Sequence, residues 1–227
     1  MNEININDKK ENKVSIILTT TVNVTKESSF QIDKQDRIST YLKSIRSWLK
    51  NTNLNIIVIE NSGHEFEELT EELHLYKNRF EIITFKESQS NYPEFQMHLQ
   101  SKGGLEINSI HYAYNKSIFL KKSLFIIKIT GRFFINNFEK FINSIDVSKF
   151  DCLKQNYDYR CEIVGTSQKN FDIIFNKNLF INNGLYNYHV ENVYAYRFSL
   201  FKNILVCPVF HIEPTQRGGI NEKYDRL

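Results

Sequence analysis

The apolar positions follow two rhythms, one strand-like and one helical, in regular alternation. Val14–Thr21 (VSIILTTT) is a short β-branched run that predicts a buried central strand ending in three threonines. After a polar loop to about Asp36, Arg37–Leu49 (RISTYLKSIRSWL) carries Ile38, Tyr41, Leu42, Ile45, Trp48 and Leu49 at helical spacing, which predicts an amphipathic helix packed on a sheet. Asn55–Glu60 (NIIVIE) reads as a second buried strand, stopped by Asn61-Ser62-Gly63. Glu65 to about Lys77 reads as a charged helix, and Phe80–Phe85 (FEIITF) as a third strand. This order predicts a parallel α/β sheet with right-handed crossovers.

The next segments bring candidate chemistry. Ser101–Lys116 predicts a helix with Leu105, Ile107, Ile110 and Ala113 on its buried side. It opens on Lys102, Gly103 and Gly104, a cation and two glycines at a helix start, where free amides and the positive dipole end suit a phosphate. A plain turn accounts for the same glycines. Leu124–Phe134 (LFIIKITGRFF) is an apolar strand broken by Lys128, Thr130, Gly131 and Arg132. Ligands of open α/β sheets bind beyond the carboxyl ends of the strands, which puts residues 128–132 at the crevice. An arginine among apolar residues is costly unless it is paired or binds an anion.

In the C-terminal third, Phe150–Asn156, the stretch from Cys161 and Phe171–Phe175 read as strands. Asn187–Phe198 reads as an amphipathic helix with Val190, Val193, Tyr194 and Phe198 at core spacing, leaving Glu191 and Asn192 to face a cleft. Asn203–Pro214 is a β-rich run closing on His211 and Glu213, and Arg217-Gly218-Gly219 reads as a flexible cationic flap.

Composition narrows the class. With 227 residues, 41% hydrophobic, the chain can bury one substantial core, which points to a single domain. Twenty-nine basic against 26 acidic residues give a net charge of +3, so there is no basic excess of the kind that drives nucleic-acid binding. Cys152, Cys161 and Cys207 fit no disulfide framework or zinc spacing. The first 13 residues are polar, without a signal-peptide core, and no apolar run reaches the ~18 residues of a membrane span. These features lead us to expect a cytoplasmic protein without a transmembrane segment. No GxGxxG or GxxxxGK[ST] pattern occurs, which argues against dehydrogenase and P-loop readings.

The order of parts resembles the GT-A fold glycosyltransferases, the nucleotide-diphospho-sugar transferases. In many of them a Lys-Gly helix followed by Ala and Asn directly precedes the strand carrying an Asp-x-Asp metal motif. Here Lys102-Gly103 through Ala113 and Asn115 leads into Ile126–Arg132. The likeness covers residues 14–135 well and the remainder loosely. Where the metal-dependent members carry Asp-x-Asp, this chain has Lys128, Thr130 and Arg132, so the standard motif is lacking.

The resemblance implies a GT-A-like (Rossmann-like) α/β domain over 14–227, mostly parallel and flanked by helices, after a flexible segment 1–13. Residues 14–135 would be the nucleotide-sugar-binding half, and 136–227 the acceptor half with a C-terminal flap. The implied activity is transfer of a sugar from a nucleoside-diphosphate-sugar donor to a glycan or other hydroxyl acceptor. Thr19, Thr20, Thr21, Arg37, Glu60 and Asn61 would line the base and ribose pocket, although threonines end many strands and Glu60-Asn61 could open a turn. Lys102, Gly103, Gly104, Thr130 and Gly131 would approach the phosphates. Lys128 and Arg132 would replace the metal in neutralising the leaving diphosphate. Glu191 is the candidate base, with a solvated helix carboxylate as its alternative. His211 and Arg217 would belong to a flap that closes over the donor. No cofactor beyond the donor is required, and Mn or Mg is not expected, with a metal held by Glu or His elsewhere as the alternative. The alternatives are a non-catalytic carbohydrate- or protein-binding domain, or a nucleotidyltransferase. The latter usually has a glycine-rich loop after the first strand, and Thr19–Lys26 contains no glycine.

Overall fold

A computed structural model describes residues 13–24, 33–87, 101–157, 159–182, 184–219 and 221–227. The segment 1–12, expected to be flexible, lies outside them. The first half contains β1 (Val14–Thr20), α1 (Lys34–Asn51), β2 (Asn55–Glu60), α2 (Thr70–Leu75), β3 (Phe80–Thr84), α3 (Lys102–Lys116), α4 (Ile118–Lys122) and β4 (Phe125–Thr130). There follow α5 (Phe138–Asn143), β5 (Cys152–Lys154), β6 (Ile163–Ser167), α6 (Phe171–Ile174), β7 (Phe180–Ile181), β8 (Leu185–Tyr186), α7 (Val190–Ser199), β9 (Ile204–Val206), β10 (His211–Gln216) and β11 (Lys223–Arg226).

β1 and β2 are buried at every position, so both faces of the sheet they belong to must be covered. Seven strands form that sheet in the order β3-β2-β1-β4-β6-β5-β9. The β1–β2, β2–β3, β1–β4 and β5–β9 pairs are parallel, while β6 runs antiparallel to both β4 and β5. The architecture is a mostly parallel, helix-flanked α/β sheet. One face packs Ile45 and Trp48 of α1 with Phe138 of α5, and the Trp48 indole donates to the Phe133 carbonyl at 2.9 Å. The other face packs Ile107 and Ile110 of α3 with Val193 and Tyr194 of α7. Asp33 and Ser101 accept backbone amides at the starts of α1 and α3, the side-chain capping that fixes where each helix begins.

The structure departs from the pattern reading in its second half. Phe171–Phe175, expected as a strand, is the short helix α6, entered through a 3-10 turn at Gln168–Asn170. A five-residue apolar run fits either period. Here Phe171 and Ile174, three apart, both reach the core, and Phe171 stacks on Tyr114 at 3.9 Å. The charged helix expected over 65–77 is a 3-10 turn, Glu67–Leu69, followed by α2. The β-rich run 203–214 divides into β9 and β10 on either side of Pro208, which has no N–H to give a ladder. Arg217–Gly219 lies at the tip of the β10–β11 hairpin, where the Arg217 amide donates to Glu222 O at 2.8 Å.

Two helix starts meet across the sheet end. A Cβ on Gly103 would stand 2.3 Å from Val190 Cβ, so the backbone of α3 approaches α7 as closely as only glycine permits. Gly103→Ala is therefore an overpacking change expected to destabilise by about 1–3 kcal/mol. That is roughly 2–4 °C of melting temperature per kcal/mol. Thermal unfolding checks it, and an unchanged melting temperature would show that this contact relaxes freely.

Candidate functional site

Parallel register aligns the strand ends. Thr19 stands opposite Thr130 and Thr20 opposite Glu60, so β1, β2 and β4 finish together. Beyond these ends opens a cavity of about 920 Å³, bounded by the starts of α3 and α7, by Arg37 and Tyr41 of α1, and by the β10–β11 tip. It gathers twelve of the residues singled out from sequence: Thr19, Thr20, Thr21, Arg37, Asn61, Lys102, Gly103, Lys128, Thr130, Arg132, Glu191 and Arg217.

At the floor, Lys128 is 1% exposed, and its ammonium meets Glu106 Oε1 at 2.8 Å, Cys161 O at 2.7 Å and Thr130 Oγ1 at 3.4 Å. Three acceptors match its three N–H donors. Burial pulls the Lys128 pKa down, but Glu106 and the neighbouring acceptors outweigh it and leave the pKa above its ordinary value, so the group is a cation. Thr19 Oγ1 donates to the same Glu106 oxygen at 2.9 Å, which ties β1, β4 and α3 to one carboxylate. Burial pushes the Cys161 thiol up, and it stays protonated.

The α1 wall is different. Arg37 Nε donates to Thr21 O at 2.7 Å, and its NH2 to the Tyr41 hydroxyl at 3.1 Å. Arg132 reaches the same hydroxyl and the Gln216 carbonyl only at 3.4 Å, while its buried Nε has no hydrogen-bond partner. Both guanidinium carbons lie near the Tyr41 ring, at 5.7 Å and 5.9 Å. Burial lowers the Arg37 pKa, and nearby Arg132 adds to the shift. No carboxylate is ion-paired with Arg132 among the described residues. Gly218 packs on its guanidinium so closely that a Cβ would stand 2.4 Å from NH1. At the α7 lip, the Glu191 carboxylate has no hydrogen-bond or ion-pair partner among the described residues.

Four predicted residues do not line the cavity. Glu60 is fully buried and accepts the amides of Val22, Ser62 and His64 at 2.8–2.9 Å, so its carboxylate holds the β1 and β2 exits together. Gly104 gives its amide to the Ser101 cap at 3.0 Å. Gly131 bonds Thr19 O at 2.9 Å, and a Cβ there would stand 2.7 Å from that oxygen, so it serves chain crossing. His211 lines a separate cavity of about 380 Å³ between α1 and β10, to which Arg132 also contributes. Sequence reasoning does not reach Glu106 and Tyr41 as site residues. Tyr41 reads as a core position at helical spacing, and for Glu106 the usable signal is a lone acid four residues after Lys102, beside buried positions.

No protein-family model matches the sequence, and no curated protein matches it. Solved structures do match in shape. The bifunctional glycosyltransferase WbbM gives a TM-score of 0.51 at 8% identity, covering 89% of this chain and 40% of its own. The galactosyltransferase LgtC, solved with donor and acceptor sugar analogues, gives 0.50 at 8% identity over 85% of this chain and 73% of that one. S. aureus TarS gives 0.47 at 11% identity, over 86% and 58%. The chain thus spans less than two thirds of the length of WbbM and TarS. Its fold is the GT-A-like α/β fold found in the glycosyltransferases WbbM and LgtC. Among the described residues no helix is long and apolar enough to cross a membrane.

The metal that this fold implies does not suit the residues at the end of β4. Lys128-Ile129-Thr130 supplies no carboxylate, and two cavity carboxylates beside it are already engaged, Glu106 by an ammonium and a hydroxyl and Glu162 by Arg160. The pair also sets a stability prediction. Glu106→Ala strands a cation that is 1% exposed, whereas Lys128→Met leaves a carboxylate whose side chain is 20% exposed and still reaches water. Urea unfolding should show the first as the costlier change, at about 3–5 kcal/mol. The reverse order would mean that the ammonium finds a second counter-charge.

Proposed function

We propose that this chain is a glycosyltransferase that uses a nucleoside-diphosphate-sugar donor and a hydroxyl acceptor, without a metal bound by Asp-x-Asp. The observation that carries the reading is Arg132. It is a half-buried guanidinium on the cavity wall, with an unpartnered Nε, two 3.4 Å contacts and no ion-paired carboxylate among the described residues. Arginine in that condition is a fork for phosphate oxygens. Lys128 is saturated by its own partners, so the neutralising charge falls to Arg132, with Arg37, Lys102 and Arg217 around the same cavity.

In the step proposed, the acceptor oxygen attacks the anomeric carbon as the bond to the β-phosphate oxygen breaks. The bonding pair leaves with the nucleoside diphosphate, where the guanidinium disperses the growing charge. In an inverting displacement the acceptor proton passes to Glu191, an unpaired carboxylate in the first turn of α7. The three threonines and Asn61 would hold the nucleoside. Thr21 Oγ1 already donates to Asn61 Oδ1 at 2.7 Å, which presents both side chains together.

Thermal shift with UDP-, GDP-, CMP- and dTDP-sugars, each in EDTA and in Mn²⁺, tests the reading, because a ligand of the folded state raises the melting point. Stabilisation by one nucleotide class in EDTA is expected. A response confined to Mn²⁺ overturns metal independence, and no response to any donor favours the binding-domain alternative. With the donor known, Arg132→Ala should weaken its binding about 10- to 150-fold, the worth of a hydrogen bond to a charged group. Unchanged binding removes Arg132 from the site. Glu191→Gln should cut transfer about 10²–10⁴-fold while stabilisation by the nucleoside diphosphate persists, and normal transfer would refute the base.

A further inference from the structure

Residues 178–189 (NLFINNGLYNYH) contain no Asp, Glu, Lys or Arg, in a chain that is 24% charged. Asparagine and aromatic residues dominate instead. Within it β7 and β8 pair antiparallel, with Phe180 opposite Tyr186 and Ile181 opposite Leu185. Phe180, Leu185 and Tyr188 are 41%, 65% and 56% exposed. The aromatic rings form a row, Phe180 to Tyr186 at 6.1 Å and Tyr186 to Tyr188 at 4.6 Å, both edge to face. Clustered exposed apolar groups of this kind mark a contact surface.

The start of α7 ties this row to the cavity, since Val190 packs on Gly103 and both line it. Tyr188 stands two residues before Val190, which lines the same cavity with Glu191. The rim is thus continuous with the lip that carries the proposed base.

Its chemistry selects the occupant. A pyranose ring has hydroxyls around its edge and C–H groups on its faces. Asparagine amides and phenols answer the first, and aromatic rings the second. With no Lys or Arg in the segment, an anionic lipid surface or a nucleic acid finds no counter-charge there. We propose that Tyr188, between β8 and α7, forms an acceptor subsite, taking an uncharged sugar ring on the approach to the start of α7. The inference rests on reading the cavity as a transferase site, and it adds that the acceptor's contacting ring is neutral.

Saturation-transfer NMR tests it without needing turnover. The probes are methyl glycosides of glucose, galactose, mannose and N-acetylglucosamine, with lactose and cellobiose. The proteins are the wild-type chain, Tyr188→Ala and Tyr188→Phe, each checked for an intact fold by circular dichroism. Transfer to the ring protons of at least one saccharide is expected, about three- to tenfold weaker with Tyr188→Ala and kept with Tyr188→Phe. No transfer to any saccharide, or equal transfer with Tyr188→Ala, overturns the subsite. The wild-type thermal shift with nucleotide sugars separates the two readings. Tyr188-dependent saccharide contact without any nucleotide response supports the sugar-binding rim and removes the transferase, whereas nucleotide response without saccharide contact removes the rim alone.

Discussion

The ion pair between Lys128 and Glu106 is the constraint on which the cavity depends. A lysine near the carboxyl end of a central strand, 1% exposed, is tolerable only with its donors satisfied and its charge balanced. Glu106 from α3 supplies the balance, and the Cys161 carbonyl and Thr130 hydroxyl complete the donor count. Because Thr19 donates to the same carboxylate oxygen, the position of α3 relative to β1 and β4 is set by charge as well as by packing. Since the pair closes on itself, an anion in the cavity gains little from Lys128. The electrostatic weight moves to the arginines on the α1 side.

Glycine contacts complete the geometry that the pair begins. Gly131 lets the chain leave β4 against the Thr19 carbonyl, Gly103 lets α3 meet α7 at Val190, and Gly218 lets the β10–β11 tip lie on the Arg132 guanidinium. Each approach leaves no room for a Cβ, and each brings a different element to the cavity. The first turns Arg132 out of the strand. The second brings the starts of α3 and α7 together, and the third lays the hairpin tip on the arginine. Only the first is backbone against backbone, while the other two seat a glycine on a side chain, Val190 or Arg132.

The sequence made the first half of the fold readable and the second half much less so. β1, β2 and β4 are apolar runs of six or seven residues, buried throughout in β1 and β2 and up to Thr130 in β4, and the sheet requires no other period of them. β5 and β9 have three residues each, and β7 and β8 two, too short for a period to declare itself. The same shortness turned α6 into an expected strand. At the site, residues carried by strand ends and helix starts were legible, because topology alone fixes where those lie. Glu106 was not, since its meaning comes from a partner on another element. Glu60 looked like a ligand group because strand-end carboxylates sit near the crevice, but three backbone amides claim it. His211 opens β10, opposite Arg226 of β11, and that hairpin carries it into the second cavity, which Arg132 also lines.

The distribution of charge gives the cavity a direction. Arg37 and Arg132 cluster on Tyr41 at one wall, while the α7 side carries an unpaired Glu191 and then an uncharged aromatic rim. Under the transferase reading proposed above, a ligand with a polyanionic end and a neutral end would set its anion toward the two arginines of the α1 wall and its neutral part toward α7. A nucleotide sugar is such a molecule, and its anomeric carbon lies at the boundary between the two ends. On that proposal the bond that breaks would lie between the guanidinium and the carboxylate, one to hold a departing negative charge and the other to accept an arriving proton.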